Sequence, residues 1–229
     1  MKISKDLINN NVPAEGQIED SDCVSFTLKE NADLKILFLG NSITRHGIAE
    51  SLGWYGDWGM AASSKQNDYV HRLVSMLEAE GRRVAYCLAN LSEWERLGDM
   101  SLLETRYAAA RAFNADLVIV RLGENAQLAA RLEDFVPKYS KMVKHFAADG
   151  ARVVLTDLFW EYSPFDSFVK SLAEENGYML AQLHDLGSDD KMKATGKFSH
   201  AGVASHPSDN GIAAIAQRIF CALKRNGGV

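Results

Sequence analysis

One serine stands where the sequence leaves its first long apolar run, and its position suits nucleophilic chemistry. Ser42 follows the run 34–39 after Gly40 and Asn41. A glycine permits a tight turn there, so the serine hydroxyl could stand at the first turn of a helix, where the helix N-terminus stabilises negative charge. Serine is also a favoured helix cap, and on this motif alone capping is equally well supported.

Two further polar residues follow later apolar segments. Asn125 ends the motif LGEN, and a neutral amide beside a glycine at a strand end suits an oxyanion site. An Asx-type turn is the more common role of such an asparagine. His206 lies in a turn-rich segment, and histidine is the usual general base for a serine because its pKa lies near neutrality. A lone loop histidine is more often only a surface residue, so each indication is weak by itself.

Five apolar runs alternate with helical patterns from residue 34 onward, and these elements must position the three residues. The runs are 34–39, 83–88, 117–122, 153–158 and 178–183, and the helical patterns are 69–80, 102–113, 135–148, 165–175 and 212–223. Such alternation predicts an α/β fold with a parallel sheet covered on both faces. Ligands bind outside the C-terminal ends of the strands in such a sheet. The short alternating stretch 24–28 could add an edge strand or hairpin arm.

The three motifs and their order resemble the SGNH/GDSL hydrolase family. LFLGNSIT matches its nucleophile block, LGEN its Gly-x-Asn block and SHPSDNG its final histidine block, within roughly residues 34–225. The resemblance implies a flavodoxin-like three-layer α/β/α sandwich with a five-stranded parallel sheet. It also implies a serine esterase in which Ser42 is the nucleophile and a backbone oxyanion donor, Asn125 the side-chain donor and His206 the base.

The sequence departs from the family pattern in its second block and beside the histidine. No glycine stands where the family usually has a backbone oxyanion donor, so we expect an N–H near Ser92 or Glu93, with Glu93 preferred, to take this role. The family usually has an aspartate three residues before the histidine, where this chain has Val203. Either a backbone carbonyl fixes the His206 tautomer, or a carboxylate comes from elsewhere. The candidates, each more often a solvated or capping carboxylate, are Asp157, Glu161 and Glu124.

All four tryptophans follow predicted strand ends and are candidate substrate contacts: Trp54, Trp58, Trp94 and Trp160. The first two lie in the glycine-rich segment 51–64, which suits a lid or wall whose rings bind a sugar face or an acyl group. A loop pinned to the body by aromatic anchors, or a subunit contact, is nearly as well supported.

The composition argues against some classes of binding partner but does not indicate a function. The chain has 229 residues, 47% of them hydrophobic and 24% charged, and a formal charge of −5, which is ordinary for a folded domain. The absence of a Lys/Arg run argues against nucleic-acid and anionic-membrane partners. No apolar stretch is long enough for a signal peptide or a membrane span, so we expect a cytoplasmic protein. The widely spaced cysteines predict free thiols, and no metal or cofactor is expected.

We therefore expect an N-terminal extension over residues 1–33 and a hydrolase domain over 34–229. The favoured function is hydrolysis of a small, acetyl ester through a Ser42 acyl-enzyme, with an O-acetylated carbohydrate as substrate. One alternative is a catalytically degenerate domain of the same family that only binds ligands. Another is a flavodoxin-like protein that binds phosphate or flavin at the first strand-to-helix turn, although the turn lacks the P-loop lysine. Whether the chain forms a homo-oligomer is left open.

Overall fold

The computed structural model describes residues 23–147 and 150–227, and a six-stranded sheet forms its centre. The strands lie in the order β1-β3-β2-β4-β5-β6, and β1 pairs antiparallel with β3 while the others are parallel. Their bounds are β1 Val24–Thr27, β2 Leu34–Gly40, β3 Val84–Asn90, β4 Leu117–Arg121, β5 Arg152–Thr156 and β6 Met179–Ala181. The predicted α/β sandwich with five parallel strands is confirmed, and the antiparallel edge strand is a sixth.

Eight α-helices flank this sheet within the described ranges: α1 Tyr69–Ala79, α2 Ser92–Leu97, α3 Ser101–Glu104, α4 Ala108–Ala112, α5 Leu128–Phe146, α6 Ser163–Asn176, α7 Ala201–Ser205 and α8 Asp209–Arg225. The predicted helix 102–113 is divided into α3 and α4. The Thr105 hydroxyl donates to the Ser101 carbonyl at 2.9 Å, and such local bonds compete with helix continuation. Helix α5 begins seven residues before its predicted start. Of these seven residues only Leu128 is buried, so they show little of the apolar period on which the prediction relied.

The strand side chains alternate between two apolar layers. Leu37 and Leu39 of β2 pack on one face with residues of α5 and α6, whereas Ile36 and Phe38 pack on the other with residues of α1 and α8. This alternation follows from the two-residue period of a strand. Within the described ranges, no helix combines the length and apolar composition that crossing a membrane requires.

The carboxyl end of β2 lies at the point where the strand order reverses. Gly40 pairs with Asn90 of β3 on one side and with Arg121 of β4 on the other. In open α/β sheets this reversal creates a crevice in which ligands bind. The sheet topology therefore brings the ends of three central strands to one place.

The predicted N-terminal extension lies mostly outside the described residues, which begin at Cys23. Its described part includes β1, whose Val24 pairs with Ala89 of β3. The stretch that the sequence marks as a candidate edge strand is thus joined to the sheet.

Candidate active site

The segment after β2 is a hydrogen-bonded turn rather than the helix expected from the sequence. The Thr44 and Arg45 N–H groups both donate to the Asn41 carbonyl, at 2.9 and 3.0 Å. A Cβ atom on Gly40 would lie 1.7 Å from the Thr44 hydroxyl oxygen, so only glycine fits this close approach. Ser42 lies in this turn, where it has no α-helix to cap.

Ser42 and His206 meet across the crevice although 164 residues separate them. The Ser42 Oγ lies 2.8 Å from His206 Nε2, and His206 Nδ1 lies 2.6 Å from the carbonyl oxygen of Gly202. A carbonyl only accepts, so Nδ1 carries the proton and Nε2 presents its lone pair to the serine hydroxyl. Burial lowers the pKa of His206 to about 4, so the imidazole is neutral at pH 7 and able to accept a proton.

The structure brings none of the three candidate carboxylates to His206 Nδ1. Asp157 accepts from His184 Nδ1 at 2.8 Å, and Glu161 accepts from the hydroxyl of Ser163 at 2.9 Å. Glu124 is held by the side chains of Arg121 and Asn41. Of the two arrangements left open by the sequence, the structure has the one in which a backbone carbonyl orients the histidine.

The pair opens onto a cavity of about 190 Å³. The cavity is lined by Ser42, His46, Leu52, Met60, Asn90, Ser92, Arg96, Asn125, His200, Gly202, Val203 and His206. Asn125 thus faces the same space as the serine and histidine. Glu93 does not line the cavity, and its side chain pairs with Arg106 at 3.0 Å, although its backbone lies in the first turn of α2.

Asn90, which the sequence analysis did not single out, connects two walls of this cavity. Its Nδ2 donates to the Arg45 carbonyl at 2.9 Å, and its Oδ1 accepts from the Ser92 N–H at 2.9 Å. The turn that carries Ser42 is thereby tied to the start of α2. A polar residue ending an otherwise apolar strand is the signal that could have identified it.

A buried polar network underlies the crevice. Asn41 Nδ2 donates to Glu124 Oε2 at 2.8 Å and to Glu95 Oε1 at 3.2 Å, while its Oδ1 accepts from Arg121 Nη1 at 3.0 Å. Asn125 Nδ2 donates to Glu95 Oε2 at 2.7 Å. Arg121 and Glu95 have no exposed surface. The sequence did not identify either residue as part of the site, although a charged arginine within the apolar run LVIVRL is itself unusual.

The tryptophans lie mainly in the core and not in the cavity lining. Trp94 is fully buried and packs against Phe135, so it cannot make the predicted contact with a substrate. Trp54 is also buried, and its Nε1 donates to the His46 carbonyl at 3.1 Å. Trp58 is half-buried and lies outside the cavity lining. Trp160 packs edge-to-face with the His206 ring, with centroids 6.0 Å apart.

Segment 51–64 is held to the body by hydrogen bonds as well as by these rings. The Met60 N–H donates to the Ser42 carbonyl at 2.8 Å, and the His46 N–H donates to the Trp58 carbonyl at 2.9 Å. The segment is therefore a loop pinned to the body. Leu52 and Met60 from this segment form part of the cavity wall.

Comparisons with known proteins identify relatives in structure. No family model and no curated protein matches the sequence. Among solved structures, a family 3 carbohydrate esterase from Clostridium thermocellum matches with a TM-score of 0.59 and 12% identity, over 84% of this chain and 96% of the other. A protein described as a GDSL-like lipase from Parabacteroides merdae matches with a TM-score of 0.53 and 18% identity, over 89% and 99%. TesA matches with a TM-score of 0.52 and 18% identity, over 83% and 98%.

At these identities the matches concern the fold. They cover nearly all of each matched chain and 83–89% of this one, so the likeness extends over most of the domain. The fold expected from the motif resemblance is confirmed: the chain has the three-layer α/β/α fold of GDSL-like lipases and carbohydrate esterases.

Proposed function

We propose that this protein is a serine ester hydrolase of the SGNH/GDSL type, with Ser42 as nucleophile and His206 as general base. The observation that carries the proposal is the 2.8 Å contact between Ser42 Oγ and His206 Nε2, with the other ring nitrogen anchored on the Gly202 carbonyl. A nucleophile within hydrogen-bonding reach of an oriented base is the arrangement that covalent catalysis requires.

The reaction follows from this arrangement. His206 Nε2 takes the Ser42 proton as Oγ bonds to the ester carbonyl carbon, and the carbonyl oxygen becomes negative. The backbone N–H of Ser42 and the amide of Asn125, two residues that line the cavity, are the proposed donors to that oxygen. The imidazolium then protonates the leaving alcohol, and an acyl-enzyme remains. His206 next takes a proton from water, whose attack releases the acid and restores Ser42.

A short acyl group suits the cavity. Its volume of about 190 Å³ is below the roughly 300–1,000 Å³ of sites for drug-sized ligands. A cavity of this size favours a short acyl group, such as acetyl, over a long chain. We therefore propose an acetyl ester as substrate.

A carbohydrate remains the proposed alcohol component, so that the substrate is an O-acetylated carbohydrate. The carbohydrate esterase among the structural matches supports this choice. Two of the tryptophans no longer do, because the fully buried Trp94 and the buried Trp54 offer no ring face to a sugar.

The two alternative functions are less well supported by the geometry. A phosphate or flavin site in the turn after β2 would need free backbone N–H groups, but those of Ile43, Thr44 and Arg45 are bonded to Asn41. A degenerate, ligand-binding domain has no need for the paired Ser42 and His206, whose contact is intact.

The proposal is tested by replacing the nucleophile and by labelling it. Ser42→Ala should lower the rate of 4-nitrophenyl acetate hydrolysis by a factor on the order of 10³ or more, whereas Ser101→Ala, at an exposed serine, should leave it unchanged. A fluorophosphonate should add to Ser42, as detected by mass spectrometry of the peptides. Undiminished hydrolysis by Ser42→Ala would overturn the proposal. So would a failure of the wild-type protein to hydrolyse any acetyl ester in a Ser42-dependent way.

The acyl preference is tested with esters of increasing chain length. We expect kcat/KM to fall sharply from 4-nitrophenyl acetate to the butyrate and octanoate because longer chains exceed the cavity. A preference for octanoate would contradict the assignment of a short acyl group and leave the Ser42 mechanism intact.

A further inference from the structure

Glu95 lies in α2 below the cavity, and its carboxylate touches the amide that faces the cavity. Its Oε2 accepts from Asn125 Nδ2 at 2.7 Å. Its Oε1 accepts from Asn41 Nδ2 at 3.2 Å and from the backbone N–H of Gly123. A side-chain amide has two N–H donors, so this contact leaves one N–H of Asn125 for another acceptor.

The buried network has more acidic than basic side chains. The network contains two carboxylates, those of Glu95 and Glu124, and one guanidinium, that of Arg121. Arg121 bonds to Glu124 and to the side-chain oxygen of Asn41, whereas the three donors that reach Glu95 are uncharged. Burial and a neighbouring like charge favour the protonated form of a carboxylate, whereas bonds from neutral donors favour the ionised form.

We propose that Glu95 is a positioning residue whose ionised carboxylate fixes the Asn125 amide for the oxyanion, and that protonation of Glu95 releases this hold. The inference rests on the proposed function, because it concerns the same site. A carboxylate only accepts, so it selects the amide orientation in which Nδ2 faces Glu95. A protonated carboxyl can also donate to Oδ1 and therefore permits the reversed orientation.

The titration of Glu95 falls within an accessible pH range. Burial, and then the charge of Glu124, raise the pKa of Glu95 to about 7, while its bonds to Asn125, Gly123 and Asn41 act in the opposite direction. The network itself contains Arg121 of β4 and Glu124 after β4, and the titratable groups that interact with it are Tyr139 of α5, Tyr69 of α1 and His206. Burial raises the pKa of Tyr139, so its hydroxyl stays neutral near pH 7.

The sign of the effect follows from these directions. Lowering the pH from 8 to 6 protonates Glu95, so kcat should fall. The pKa of His206 lies lower, at about 4, so the base itself should stay active through this range. Two separate acidic limbs are therefore expected, the upper from Glu95 and the lower from His206.

The first test compares pH profiles of kcat for an acetyl ester. The wild type should show a limb near pH 7. Glu95→Gln should lose that limb and turn over about tenfold more slowly at pH 8, with KM changed less than about twofold, because an oxyanion donor acts mainly in the transition state. The matched control Glu104→Gln, at an exposed glutamate, should keep the wild-type profile. A limb near pH 7 that persists in Glu95→Gln would overturn the inference.

The second test asks whether Glu95 acts through Asn125. Asn125→Ala should cost on the order of 10²–10³ in kcat, and adding Glu95→Gln to it should cost less than about twofold more, because coupled residues are not additive. Fully multiplicative losses would contradict the positioning role. If Glu95→Gln does not fold, Asn125→Ala alone decides the matter, since its profile should also lack the limb near pH 7.

A third measurement does not depend on turnover. The side-chain ¹⁵N amide resonance of Asn125 should shift with a midpoint near pH 7 in the wild type and stay constant in Glu95→Gln. An Asn125 resonance that is insensitive to pH between 5 and 9 in the wild type would refute the inference even if the protein hydrolyses no ester. Conversely, Ser42-dependent hydrolysis with such an insensitive amide would refute only the role of Glu95.

Discussion

Placing an aspartate at position 203, where the family usually carries one, should raise neither the activity nor the stability of this protein. His206 Nδ1 already donates to the Gly202 carbonyl at 2.6 Å. The Val203 side chain is only 1% exposed and packs in a small apolar cluster with Trp54 and Met60. Val203→Asp should therefore bury a carboxylate in that cluster without supplying a partner that the imidazole lacks.

The cost can be worked out from this burial. Losing the apolar side chain costs about 1.5 kcal/mol at the low end of the range for a fully buried valine. Keeping the new carboxylate ionised at pH 7 adds about 4 kcal/mol if burial raises its pKa by about three units. The total is roughly 5–6 kcal/mol, which is comparable to the whole stability of many domains. Val203→Ala should cost only about 2 kcal/mol.

Urea unfolding of Val203→Asp, Val203→Asn and Val203→Ala at several pH values would check this reasoning. A carboxyl whose folded-state pKa is raised loses stability as the pH rises through the interval between its unfolded and folded pKa values. The difference between the Asp and Asn variants should therefore widen from pH 4 to pH 7, by up to about 1.4 kcal/mol per pH unit. An Asp variant within about 0.5 kcal/mol of the wild type, with a raised kcat/KM, would refute it.

Three other changes test individual contacts. Asp68→Ala should lower the free energy of unfolding in urea by about 1–2 kcal/mol, because the buried carboxylate caps α1 through the His71 N–H at 2.8 Å; an unchanged midpoint would contradict this. Gly40→Ala should be strongly destabilising in thermal unfolding because of the clash with Thr44, and its loss should be non-additive with Thr44→Gly. Arg96 is exposed in the cavity lining, where none of the described residues is Asp or Glu. Arg96→Gln should therefore reduce kcat/KM for an acetyl ester bearing a carboxylate by about three- to tenfold at low salt, and much less for a matched neutral ester; equal losses would contradict a charge effect.

The fold was largely predictable because apolar runs and helical periods alternate regularly from residue 34. Each run is a strand of the parallel sheet, within a few residues at its ends. The early start of α5 was missed because residues 129–134 are exposed or half-buried, and the apolar period becomes regular only near Phe135. Periodicity detects a buried face, and a helix segment with a small buried face gives little signal.

Site residues whose type itself suggests a catalytic role were predictable from the sequence. Residues whose role depends on whether the fold buries them were not. Ser42, His206 and Asn125 all line one cavity, as their positions after strands and before the last helix suggested. Glu95 could not be recognised, because a glutamate in SEWERL has the character of a solvated helix residue until the fold covers it. Likewise, a tryptophan after a strand end can face solvent or core, and for Trp94 only the tertiary packing decides between them.

The attachment of segment 51–64 to the nucleophile turn has a consequence for how this protein could acquire new substrates. Because the Met60 N–H is bonded to the Ser42 carbonyl, insertions or deletions in the segment would displace the nucleophile itself. Side-chain exchanges at Leu52 and Met60 would alter the cavity wall and leave that bond in place. Divergence in substrate range should therefore proceed through point changes at these two positions, with the length of the segment preserved.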